Sequence, residues 1–365
     1  MAIPFTLQPG DPSLADVALL AREAGSLIRK ALSPSALGAF GGSVGDDGGR
    51  SLAASKTSGN DLVTETDKAV ERLIISRIRA RFPATGPGAH AILAEESSTE
   101  ESTLTDAPTW IIDPVDGTTN FAHGFPFTCV SIGFARGKTV LLGAVYAPAL
   151  DELFTAERGR GAFLNGCPIR VSGSVDIHRS LISTGFHAYI VGEERASGQY
   201  QAHALPGGGR GGPALPTTTT AADVSAIAMA PPGVGSAAPP APGLPSLPSS
   251  PAIDSALWNL RAALVLGRDV RRAGAAALDM CYVACGRLDM YFEAGPREWD
   301  FAAGQVIVEE AGGYVCDFTG RHAGSPASDQ HPDRVGPFDL GSRQVVAAAS
   351  RQLAESICPY LVLPR

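Results

Sequence analysis

Small and apolar residues at Leu14, Val17, Ala18, Ala21, Ala24, Gly25 and Ile28 recur at helical spacing and predict an amphipathic opening helix. A Gly- and Ser-rich stretch from Ser33 to Ser55 reads as a loop, and Val70, Leu73, Ile74 and Ile78 mark one face of a second helix from Thr64 to Phe82. The pattern then switches to strands. Val130, Ile132 and Phe134 alternate up to a turn at Arg136-Gly137-Lys138, and Val140 to Tyr146 forms a second run. Asn165-Gly166 lies between apolar residues, a hairpin signal because both positions tolerate positive φ. This half reads as helices packed on an antiparallel sheet. Further on, Leu257 to Leu266 and Ala275 to Cys285 read as helices and Leu288 to Glu293 as a short strand. Phe301 to Ala311 reads as a helix stopped by Gly312-Gly313, Val345 to Ala349 as a buried strand, and a last helix follows from Ser350. Strand and helix alternate there, so the second half reads as α/β.

The stretch Ala196–Ala252 breaks this pattern. It is rich in Ala, Pro and Gly, and only Arg210 and Asp223 are charged, so it cannot easily supply a packed core. It reads as a disordered insertion or a retained intron. Its Gly207-x-Gly209-x-x-Gly212 formally matches a dinucleotide fingerprint, but no strand precedes it and no helix follows, so the match is set aside.

The chain has 365 residues, enough for one large domain or two ordinary ones, and is 44% hydrophobic, which excludes wholesale disorder. Lys and Arg number 29 against 37 Asp and Glu, a net charge of −8 that argues against nucleic acid or an anionic membrane as the main partner. No apolar run approaches the roughly 18–20 residues of a membrane span, and Met1 to Leu14 shows no basic stretch leading into an apolar one, so a cytoplasmic protein is expected. Six scattered cysteines form no C-x-x-C; Cys281 and Cys285, four apart, read as small buried thiols rather than a redox or zinc pair.

Candidate chemistry concentrates in Trp110-Ile111-Ile112-Asp113-Pro114-Val115-Asp116-Gly117-Thr118-Thr119-Asn120, where an apolar strand runs into two aspartates three apart and then Gly-Thr. Proline ends the ladder and glycine admits a close backbone approach, leaving carboxylates, amides and a hydroxyl at one strand end. Oxygen-only ligands suit Mg²⁺ held jointly with a substrate phosphate; the bland alternative is a loop whose aspartates cap turns. Two more acidic sites tilt that balance: Glu95-Glu96 closes the apolar run Ile92-Leu93-Ala94, and Asp300 stands where a helix starts, a position that also suits capping.

These segments resemble the inositol monophosphatase family, within the lithium-sensitive, magnesium-dependent phosphatase superfamily. The matching pieces are Asp61-Leu62-Val63-Thr64-Glu65-Thr66-Asp67, Ala94-Glu95-Glu96-Ser97, Asp113 to Asn120, Trp299 to Gly304 with Glu310-Ala311-Gly312-Gly313, and Gly336-Pro337-Phe338-Asp339-Leu340, in the family's order. The resemblance implies a layered αβαβα sandwich of the sugar-phosphatase type, α+β then α/β, and a homodimer. It divides the chain into an N-terminal half, 1–175, with most metal ligands and a C-terminal half, 176–365, with substrate-binding residues, 196–252 being the insertion.

It also implies roles. Glu95, Asp113 and the Val115 carbonyl would hold one Mg²⁺; Asp113, Asp116 and Asp300 a second; a third, weaker ion would lean on Glu95 and water. Glu95 and Thr118 would activate the attacking water, with Asp67 holding the Thr118 hydroxyl. The Gly117 and Thr118 amides would cradle phosphate, while Glu293, Gly274, Ala276, Asp116 and Asp300 would face the substrate. Lys56 sits where the family has a lysine on a loop near the metals, and Leu181 to Phe186 resembles the strand at the edge of the substrate half. The aspartate pair at i and i+3 differs from the Asp-x-Asp of phosphatases that form an aspartyl-phosphate, so direct attack by water is expected. Two departures bear on substrate choice: Ala275 replaces the Ser or Thr of many relatives, and Pro296-Arg297-Glu298 is more charged than expected. The implied activity is hydrolysis of myo-inositol monophosphates. Another small phosphate ester (histidinol phosphate, a sugar phosphate or a 3′-phosphonucleotide) stays open, as does a non-enzymatic interaction module using the insertion as a docking arm.

Overall fold

The computed structural model describes residues 6–32, 65–86, 88–99, 102–185, 251–320 and 339–363. Helix α1 (Leu14–Ala31) starts where Ser13 and Asp16 cap each other, Asp16 N donating to Ser13 Oγ and Ser13 N to Asp16 Oδ2. Its predicted face is the buried one, with Val17, Ala21, Ala24 and Ile28 in contact with α2 (Glu65–Arg81) and the first sheet.

That sheet has seven strands in chain order: β1 (Ala91–Ala94), β2 (Thr109–Asp116), β3 (Cys129–Arg136), β4 (Thr139–Ala147), β5 (Glu152–Glu157), β6 (Gly161–Leu164) and β7 (Cys167–Pro168). It is not wholly antiparallel as expected: β1 pairs parallel with β2, which carries the ends of both strands, and so Glu95 and Asp113, to the same edge of the sheet. The Asn165-Gly166 turn forms as predicted, with φ of 50° and 79°. The short α3 (Thr118–Ala122) follows β2 directly.

The second sheet runs β11-β12-β10-β8-β9, built from β8 (Leu181–Thr184), β9 (Asp269–Arg271), β10 (Met290–Ala294), β11 (Tyr314–Cys316) and β12 (Gln344–Ala348). β8 is parallel to β9 and β10, while β12 is antiparallel to its neighbours. β8 lies one strand in from the edge of this sheet, which is formed by the three-residue β9, too short to leave a periodic signal.

Between the sheets lie α5 (Ala276–Ala284) and α6 (Glu298–Glu310), the second beginning one turn before its predicted start. Helices α4 (Pro251–Leu266) and α7 (Arg351–Ile357) cover the outer face, α4 starting inside the stretch read as an insertion. The order is helix, sheet, helix, sheet, helix: the five-layer sandwich. Gly143 makes the central contact possible, since a Cβ there would stand 2.7 Å from the Ala303 carbonyl oxygen and the Val306 Cγ1 of α6. Among the described residues no helix is long and apolar enough to cross a membrane.

Candidate active site

Asp113 and Asp116 belong to the last turn of β2, where its register against β3 shifts between them. The irregularity matters because alternation alone would set residues three apart on opposite faces. Gly117 then turns the chain with φ of 84°; a Cβ there would lie 3.0 Å from the Phe127 carbonyl and 3.2 Å from that of Gly274. Left-handed backbone and close approach together require glycine.

Asp116 is buried and caps α5 from another part of the chain. Its Oδ1 accepts from Ala276 N at 3.1 Å, and its Oδ2 accepts from Ala277 N at 2.7 Å and Cys129 Sγ at 3.5 Å. Asp300 occupies the first turn of α6, and its Oδ2 accepts from the Arg297 amide at 2.6 Å. The capping role weighed for Asp300 is therefore real, and its carboxyl still faces Asp113. Glu95, half-buried just past β1, and Asp113, 1% exposed, meet carboxyl to carboxyl.

Burial dominates the electrostatics, and mutual repulsion follows. Glu95 is pushed well above the ordinary carboxylate range by burial and then by Asp300; Asp113 by burial and then by Glu95, Asp116 and Asp300. Asp300 is raised to about 8 by burial and Asp116. Asp116 rises only to about 6, because the α5 amides offset its burial. No donor reaches the buried Asp113 Oδ1. Four acids thus crowd one pocket, and burial together with mutual repulsion favours their neutral forms. Among the described residues no three such side chains are splayed to hold an ion as they stand. The fit to a hard cation therefore lies in the donor set, all oxygen and all inward, with an orphaned oxygen at its centre. Its ligands would have to ionise and part to receive one.

The Thr118 hydroxyl donates to the Val115 carbonyl at 3.1 Å. Asp67, 2% exposed on α2, adds its charge to the field around Glu95. Ala276 lies within the pocket wall through its amide, and Gly274, with φ of 85°, sits beside Asn120. Glu293, half-buried in β10, accepts from the Tyr291 hydroxyl. Lys56 and the segments 61–64 and 336–338 lie outside the described residues.

Two residues escaped the sequence reading. Asn120 Nδ2 donates at 2.8 Å to both the Phe127 and Ala273 carbonyls, stitching the loop after β2 to the segment before α5. Glu71, 4% exposed, accepts from the Glu96 amide at 2.8 Å and so ties α2 to the turn that carries Glu95. Its spacing of four from Asp67 was the available signal.

The profile of the Inositol monophosphatase family matches residues 13–206 and 247–363, a break that falls within the Ala- and Pro-rich stretch. The chain is 36% identical over 305 residues to inositol monophosphatase 1 of Bos taurus, covering 83% of this chain and 82% of that one. It is 37% identical over 306 residues to inositol monophosphatase 1 of Solanum lycopersicum, covering 83% of each. The solved inositol monophosphatase of Anabaena (Nostoc) sp. superposes with a TM-score of 0.60 at 27% identity, covering 96% of both chains.

Proposed function

The chain belongs to the inositol monophosphatase family and is a phosphatase, and we propose that it hydrolyses myo-inositol monophosphates with Mg²⁺ by direct in-line attack of water. The observation that carries this reading is the convergence of Glu95, Asp113, Asp116 and Asp300 in one pocket, acids that burial and mutual charge hold above their ordinary range. Such a pocket cannot receive a phosphate monoester on its own, because anion would meet anion. Mg²⁺, two to three ions, would be held by Glu95, Asp113, Val115 O, Asp116 and Asp300; bound there, it neutralises the phosphoryl oxygens and lowers the pKa of water.

The chain's own residues do the rest. Glu95 accepts the proton of the attacking water, and Thr118 orients that water, its side chain already fixed by Val115. The Gly117 and Thr118 amides would receive phosphate oxygens at the left-handed turn that Gly117 makes between β2 and α3. Asp116 is the least acid-shifted of the four because α5 supports it, so it ionises first and anchors the site. Gly274, Ala276 and Glu293 line the side on which the alcohol of the ester lies, and Asp67 biases the field at Glu95. A homodimer and inhibition by lithium belong to the same proposal, read out by light scattering and by turnover with added lithium.

The test is phosphate release from inositol 1-phosphate with Mg²⁺ and with chelator, beside Asp113→Asn. Mg²⁺-dependent release that the substitution abolishes supports the proposal. Release from histidinol, sugar or nucleotide phosphates but not from inositol 1-phosphate would move it to another ester.

A further inference from the structure

Behind the alcohol side of the pocket lies a buried group that the mechanism above leaves unused. Tyr291 is fully buried in β10, and its hydroxyl donates to Glu293 Oε2 at 2.5 Å, the length of a charge-assisted bond. The two residues are i and i+2 on one strand, so both side chains stand on the same sheet face. We infer that Tyr291 is a positioning residue for alcohol recognition: its hydroxyl fixes the Glu293 carboxylate against vicinal hydroxyls of a polyol phosphate. The inference rests on the functional reading above, in which Glu293 meets the alcohol.

Three surrounding features make the arrangement specific. Ser183 of β8 is the direct register partner of Tyr291 across the parallel pair, and its hydroxyl donates to Asp279 Oδ1 at 2.9 Å. Asp279, 2% exposed on α5, is a second carboxylate near the phenol, and Ser183 engages it while the Tyr291 hydroxyl donates to Glu293. On the far side Gly185 gives the carboxylate its room, because a Cβ there would overlap the Glu293 carboxyl. Burial and the nearby charge of Glu293 hold the phenol well above its ordinary range, so it stays a donor. A carboxylate pinned at one oxygen cannot swing, and its entropy cost on binding hydroxyls is already met. A phosphate ester without such hydroxyls gains nothing from that.

The experiment compares kcat/KM for inositol 1-phosphate and for p-nitrophenyl phosphate in the wild type, Tyr291→Phe, Glu293→Gln, the double variant and Gly185→Ala, all with Mg²⁺. Tyr291→Phe should lower kcat/KM for inositol 1-phosphate about 10-fold, mainly through KM, and leave p-nitrophenyl phosphate within about twofold. In the Glu293→Gln background it should add little further loss. Gly185→Ala, which displaces the same carboxylate, should show the same selectivity. Equal loss on both substrates with a lowered melting temperature would mean a structural role only and overturn the inference, as would an unchanged preference in Tyr291→Phe. A wild type with no preference for inositol 1-phosphate would defeat the functional reading, and the inference with it.

Discussion

Asp300→Asn should abolish turnover and yet stabilise the protein in chelator. Burial and Asp116 raise the Asp300 carboxyl to about 8, so at pH 7 the folded protein keeps a proton that an unfolded aspartate releases near 4. A raised folded-state value means the stability is fully present below about pH 4 and is lost as pH rises through about 8. Holding that proton at pH 7, about three pH units above the unfolded value, costs about 4 kcal/mol. Asparagine carries no such cost and keeps an oxygen for the Arg297 amide, the bond that Asp300 Oδ2 accepts at 2.6 Å. On a stability of about 5–15 kcal/mol this is a large fraction, expected to raise the melting temperature by roughly 10 °C. The assay is thermal unfolding with chelator from pH 5 to pH 8. The wild type should melt lower as pH rises, and the variant should show a shallower slope and a higher value at pH 8. Added Mg²⁺ should reverse the order, because it stabilises the form that binds it. A variant that melts at or below the wild type in chelator at pH 8 would refute the electrostatic account of the pocket.

Other substitutions probe neighbouring parts of the site and its supports. Thr118→Val should lower kcat about 10²–10³-fold in steady-state assays while Thr118→Ser retains most activity, since only the hydroxyl that now meets Val115 is lost. Asn120→Ala leaves the Phe127 and Ala273 carbonyls without their shared donor and should cost about 1–3 kcal/mol in urea unfolding. It should also weaken Mg²⁺ binding measured by calorimetry, because α5 and Asp116 lose their register. Gly143→Ala should lower the unfolding free energy measured in urea by about 1–3 kcal/mol with kcat little changed, its Cβ meeting α6 at 2.7 Å.

Much of the site was legible because it is local. Asp113, Val115, Asp116, Gly117 and Thr118 fall within six residues, and the strand that delivers them is an unbroken buried run. The hairpin at Asn165 and the buried faces of α1 and α6 follow from short-range periodicity and turn chemistry. Missed features are the ones built from distant pairs. The three-residue β9 is too short for a pattern, and its place beside β8 depends on a parallel crossover. The parallel pairing of β1 with β2 likewise leaves no trace in either strand alone.

The sequence by itself determined the kinds of chemistry: which carboxylates, amides and hydroxyls exist, their spacing along each strand end, and the order of motifs that marks the family. Residue type and local backbone preference are properties of neighbours in the chain, and they can be read there. Tertiary structure alone decided how those groups differ. Asp116 ended with α5 amides that hold it near 6, and Asp300 without comparable support near 8. The Thr118 hydroxyl came to donate to the Val115 carbonyl, and Tyr291 came to rest against Glu293. Burial and through-space charge set these outcomes, and both depend on contacts between residues far apart in the chain, as between Asp116 and Ala276 or between Glu95 and Asp300.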